Sequence, residues 1–205
     1  MSLSRQIAYR DVTPLADHPG YLANNWYIPY GATHAQNAGV NPGSGVIRLF
    51  AGVIKQTCTL SALGIRVTTL SAGGNVQTAI YANNPATMRP TGTALASTAS
   101  ISTASAAVVN ATISVQLTPG LYWFASNMDN ATSIITSVGA GSITASALIG
   151  SPTQANIMPG SAVGMQGVKI TSTFGTWPDL TGQSFTDATG NNDTPLMAFK
   201  VGSVP

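Results

Sequence analysis

The stretch Ala111–Ala125, ATISVQLTPGLYWFA, decides the fold. Ala111, Ile113, Val115 and Leu117 occupy alternate positions with polar residues between them. A period of two is that of a half-buried β-strand, because successive side chains leave opposite faces. Thr118, Pro119 and Gly120 break the run, and Leu121, Trp123 and Ala125 resume it. Two alternating runs about a Pro-Gly turn predict a β-hairpin. Trp123 belongs to the core side with Leu121, which turns Tyr122 and Phe124 toward a second layer or a partner.

The same period extends in both directions. Upstream, Ile47, Leu49, Ala51 and Val53 share one face, and Leu63, Ile65, Val67 and Thr69 repeat the arrangement. The turn SAGGN (71–75) leads to Val76, Thr78 and Ile80, and ANNPATMRPTG (82–92), with two prolines and paired asparagines, predicts a long loop. Thr93–Val109 holds enough Ala for a helix, but its Ser and Thr compete for the helical backbone and its β-branched residues are stiff, so strand is favoured. Downstream, strands are expected over Ser133–Val138, Ser142–Ile149, Gly164–Thr173 and Pro195–Val201, with a loop over Gly150–Gly160. Short strands spaced near ten residues, broken by turn residues, define an all-β chain: a jelly-roll-like antiparallel β-sandwich over residues 46–205. Residues 1–45, rich in Pro, Gly, Asn and aromatics, read as an extended N-terminal arm with one strand near Trp26–Tyr30.

Composition supports this class and narrows the functions. A chain of 205 residues buries roughly 70% of its unfolded surface, enough for one core. Charged residues are 7% of the chain, hydrophobic ones 44%, and all six acids are Asp, so the strong helix formers Glu and Lys are scarce. The net charge of +2 comes from dispersed Arg and Lys with no basic run, which argues against nucleic-acid binding. No stretch approaches the ~18 apolar residues of a membrane-spanning helix, so no membrane insertion is expected. The opening MSLSRQIAYRDVTPL has no apolar signal core, so general secretory export is not expected. The lone Cys58 makes neither an internal disulfide nor a metal cage and reads as a small buried hydrophobe.

Four segments carry a resemblance: TLSALGIRVTT (59–69), GNVQTAIYANN (74–84), LTPGLYWFA (117–125) and TFGTWPDL (173–180). Together, over about Val46 to Val201, the chain resembles a β-sandwich module of tailed-bacteriophage virion proteins, found in tail-fibre, baseplate and head-appendage chains. The resemblance implies a virion structural protein synthesised in the host cytoplasm, a homo-oligomer, in the first instance a trimer, and other virion proteins as partners. A tail-fibre or receptor-binding role, or another appendage docked through the N-terminal arm, is the leading expectation. Capsid decoration, a baseplate role and a glycan-binding module are the alternatives.

No pattern in the chain demands catalysis or a cofactor. The sequence has no GxSxG elbow and no GxxxxGK[ST] phosphate loop. Asp17, His18 and His34 make a poor metal chelate, since adjacent residues of extended chain point apart. Asp187, Asn191 and Asp193 offer calcium-type oxygens without EF-hand spacing, and Asp179 with Asp187 is the conceivable pair for glycoside cleavage. A non-enzymatic protein is expected. Trp26, Tyr27 and Tyr30 form the densest aromatic cluster and are the candidates for docking or a subunit interface. Tyr122 and Trp177 are the candidates for glycan contact through flat aromatic faces.

Overall fold

Alternating apolar positions produce strands here, and the strands sort into two antiparallel sheets. The structure is a computed structural model; it describes residues 18–30, 32, 34–41, 43–138, 148–151, 153–157, 165–189 and 194–205. In chain order the strands are β1 (Trp26–Tyr27), β2 (His34–Val40), β3 (Val46–Ile54), β4 (Cys58–Thr69), β5 (Asn75–Asn84), β6 (Arg89–Ser97) and β7 (Ile101–Ser102). They continue with β8 (Val108–Leu117), β9 (Gly120–Met128), β10 (Ile134–Val138), the one-turn helix α1 (Gln154–Ile157), β11 (Gly167–Thr171), β12 (Thr186–Ala188) and β13 (Ala198–Ser203).

In the first sheet the order is β1-β13-β4-β10-β2, with β8 on the other side of β4; in the second it is β12-β11-β3-β9-β5-β6, with β7 also on β5. Most connections, including β3–β4, β4–β5, β8–β9, β9–β10 and β12–β13, pass from one sheet to the other. That repeated crossing is the jelly-roll-like architecture, and the all-β sandwich read from the sequence is the observed fold.

Two cores follow from strand alternation. Between the sheets, Phe50 stacks on Phe124 at 5.4 Å and Phe124 on Phe199 at 6.2 Å, ringed by Leu60, Leu63, Ile80 and Met128. Each such fully buried side chain contributes about 2–3 kcal/mol. The opposite face of the second sheet is also buried: Leu49, Tyr81 and Trp123 pack beneath Ile149, Met165, Trp177, Leu180 and Phe185 from the chain between β10 and β12. The central strands β3, β9 and β5 are therefore apolar on both faces. Tyr122 and Phe124 face the main core, and Trp123 faces the second one.

Four expectations need correction. The runs about Thr118–Gly120 are not a hairpin: β8 pairs with β4 in the first sheet, whereas β9 pairs with β3 and β5 in the second. A two-residue hairpin needs positive φ at its first central residue; Thr118 has none, and Pro119 is fixed near −65°, so the chain arches across the sandwich. The segment 82–92 is mostly strand, closed by a turn in which the Met88 N–H donates to Asn84 O at 2.7 Å. Pro90 is accommodated because β6 is an edge strand. Residues 18–45 contribute two strands rather than one. They also lie against the sandwich, since Tyr21 is in the main core and Pro29 packs on Gly52. The strand expected over Ser142–Ile149 lies largely outside the described residues.

Candidate functional site

Building the outer face of the first sheet shows why a groove forms there. β4 carries Gly64 at a position where the pattern would place a side chain, and β13 carries Ala198 beside it. The missing bulk lets the Trp26 indole lie on the β4 backbone: a β-carbon at residue 64 would sit 3.0 Å from Trp26 Cζ3. Around this point is a groove of about 340 Å³ walled by Trp26, Ile28, Arg66, Val108 and Asn110. Trp26 is 43% exposed, Ile28 42% and Val108 69%, a concentration of large apolar surface that a soluble face normally avoids. The groove runs from β1 across β13 and β4 to the edge strand β8.

The aromatic cluster of the N-terminal segment is divided by the fold. Trp26 is exposed. Tyr27 turns inward, stacked on Phe199 at 5.9 Å and edge-on to Tyr21 at 4.9 Å, and its hydroxyl accepts from the Leu22 N–H at 2.7 Å. Tyr30 lies under the Lys55 ammonium, 4.2 Å from the ring centroid, and bridges to Val53 of β3. Tyr27 and Tyr30 thus fasten the segment to both sheets, leaving Trp26 as the residue that faces outward.

Tyr122 and Trp177 lie apart. Tyr122 packs against the main core and its hydroxyl donates to Thr118 O at 3.1 Å. Trp177 packs against the second core, edge-on to Tyr81 at 6.3 Å, with its indole N–H buried and without a hydrogen-bond partner among the described residues. Asp179 accepts from the Thr181 N–H at 2.8 Å, and the Thr181 hydrogen bonds hold its carboxyl below the usual range. Asp187 pairs with Arg89 at 3.5 Å and accepts from Ser151 Oγ at 2.8 Å. Asp17, Asn191 and Asp193 lie outside the described residues, as does the His34 side chain. Among the described residues no three His, Cys, Asp or Glu side chains gather as a metal site.

A second, polar hollow of about 600 Å³ lies by Ser44, Asp129, Ser172 and Phe174. The Asp129 carboxylate there is already engaged, accepting from the Asn75 N–H at 2.7 Å, Asn75 Nδ2 at 2.8 Å and Asn130 Nδ2 at 3.0 Å. It ties the turn after β4 to the end of β9.

Ile28, Gly64, Arg66, Val108 and Asn110 were not singled out in the sequence. Gly64 inside a strand pattern signals close approach of another group, and Val108 beside Val109 forces one of the two outward. Fold and site together define an antiparallel β-sandwich with an exposed apolar groove on one sheet. Among known protein families, curated proteins and solved structures, none matches this chain. Among the described residues no helix is long and apolar enough to cross a membrane.

Proposed function

We propose that the chain is a non-enzymatic structural component of an assembled particle, of the tailed-bacteriophage virion kind that its sequence resembles, which engages neighbouring chains through the outer face of its first sheet. The observation that carries this reading is the groove flanked by exposed Trp26, Ile28 and Val108. Exposed apolar surface around a concavity suits a protein contact, and a chain with so few charges desolvates that surface at little cost. Trp26 lies in the N-terminal segment assigned to docking, which joins the sequence argument to the structural one.

The test is the solution mass of the purified chain by light scattering after size exclusion, beside Trp26→Ser. A mass above one chain that falls in the variant is the expected result. A monomeric wild type at about 100 μM overturns self-association. The virion assignment is read by mass spectrometry of purified particles: tryptic peptides of this chain are expected at stoichiometric levels, and their absence overturns it.

A further inference from the structure

Among the described residues the sandwich is closed along one side by a strand that bridges the two sheets and has no such bridge along the other. On the closed side the segment from Trp26 to Tyr30 pairs with β13 of the first sheet and bridges to β3 of the second. On the other side β8 of the first sheet lies close to β6 and β7 of the second without pairing with them. An edge strand presents a row of unpaired N–H and C=O groups, which proteins shield with charge, proline or a covering loop. β6 has all three: Arg89, Pro90, and a Gly92 whose N–H donates to Thr181 Oγ1 and whose carbonyl accepts from the Leu180 N–H. β8, VVNATISVQL, is ten residues long and has no charge and no proline. Among the described residues its ladder is with β4 alone.

We propose that β8 pairs antiparallel with β8 of a second copy of this chain, about a two-fold axis at Asn110; this rests on the proposed self-association and names its partner. Three observations select that occupant. An uncharged strand meets its own copy without like-charge repulsion, as a two-fold interface requires. Val108–Thr112 keeps regular register with β4, whereas the irregularity in that ladder falls beyond Thr112, so the straight half is the half available for pairing. Val108 and Asn110 also wall the apolar groove, so a copy added here extends the groove instead of ending at it.

In this register Asn110 faces Asn110 of the copy, Val109 faces Ala111, and Val108 faces Thr112. On the outer face an amide meets an amide and Val108 meets a threonine; on the inner face apolar meets apolar. The two Gly64 backbones, three strand spacings apart, lie about 14 Å from each other, which makes one apolar strip of the two Trp26 faces.

The experiment is disulfide trapping combined with solution mass on the full chain. Opposed residues of an antiparallel pair lie within disulfide reach, and the native Cys58 is fully buried and does not compete. Asn110→Cys is expected to give a covalent dimer under mild oxidation, while Ser114→Cys and Gln116→Cys, about 26 and 40 Å from their copies, give none. Asn110→Lys and Asn110→Asp alone are each expected to weaken association at least tenfold, and an equimolar mixture to restore it, an outcome a folding defect does not produce. A dimer that crosslinks at Ser114 or Gln116, or not at Asn110, overturns this pairing. A trimer without the Asn110 crosslink keeps self-association and overturns the strand pairing. A monomer overturns both.

Discussion

The indole of Trp26 rests on the backbone of Gly64, with Cζ3 3.0 Å from where a β-carbon would be. Gly64→Ala is therefore expected to lift Trp26 off the sheet while the strand persists. Tryptophan emission should shift to the red and become more accessible to acrylamide, with a stability loss of about 1 kcal/mol. Unchanged quenching would show that the indole does not depend on that contact. The self-association attributed to this face should weaken in parallel.

Two tryptophans of the second core are predicted to respond differently to the same change. The Trp123 indole donates to Asn83 Oδ1 at 3.0 Å and its side chain is fully buried, so Trp123→Phe loses both volume and a hydrogen bond, about 2–4 kcal/mol. The Trp177 N–H is buried without a partner among the described residues, so Trp177→Phe removes an unpaired donor and should stay within about 1 kcal/mol of the parent. Urea midpoints of both variants decide this. A large loss in Trp177→Phe would reveal a partner for that N–H.

Alkaline pH should destabilise the fold in a defined window. Burial pushes the Cys58 thiol up to about 11, and burial together with the negative charge of Asp179 pushes the Tyr81 hydroxyl up to about 12. Both groups hold their protons more tightly folded than unfolded. Their contribution is complete below the ordinary thiol and phenol values and is lost as pH rises through about 9 to 12. Urea midpoints should fall across that range, and Cys58→Ala should flatten the part below pH 11. Below pH 9, Cys58 should react with thiol reagents only after unfolding.

Acid acts on Asp129. Partial desolvation pushes its carboxyl up, but the hydrogen bonds from Asn130 and from the Asn75 backbone and side chain outweigh this and hold it below the ordinary range. Its stabilisation is thus present above the unfolded value near 3.9 and is lost as pH falls through the lower folded value. Asp129→Asn should be less stable at pH 7 and show a flatter profile below pH 4, measured by urea midpoints at pH 7, 4 and 2.5. An unchanged profile would remove Asp129 from the acid response.

Strands were legible in the sequence and their partners were not. Alternation at Ile47–Val53, Ile65–Val67 and Ala111–Leu117 marks β3, β4 and β8, although only β8 keeps a strict alternation of burial, while β3 is buried on both faces. The link at Thr118–Pro119 was misread because a hairpin and an arch present the same alternation on either side. Only backbone angles distinguish them, and proline rather than Asn-Gly at the second position was the available sign. The groove was half legible: aromatic density pointed to Trp26, but Gly64, Val108 and Asn110 reach it through pairing among distant segments. Tyr27 sits beside Trp26 in sequence yet faces inward onto Phe199, and Tyr30 is half-buried under Lys55 while its backbone bridges to Val53.

The arch at Thr118–Pro119 also bears on how the chain folds. Because most successive strands change sheets, neither sheet assembles from a continuous stretch: β4 pairs with the distant β8 on one edge and the still more distant β13 on the other, and β3 waits for β9. Among the described residues only β5–β6 joins consecutive paired strands through a tight turn. Such a topology closes long loops before it gains contacts, and places folding on the millisecond-to-second scale as one cooperative event. The ladders of β4 with β8 and of β9 with β3 and β5 can form before β13 emerges. One edge of β4 and the Trp26–Tyr27 segment, however, find their partner only in β13, so the Trp26 face that is proposed to engage neighbouring chains is the part of the sandwich completed late.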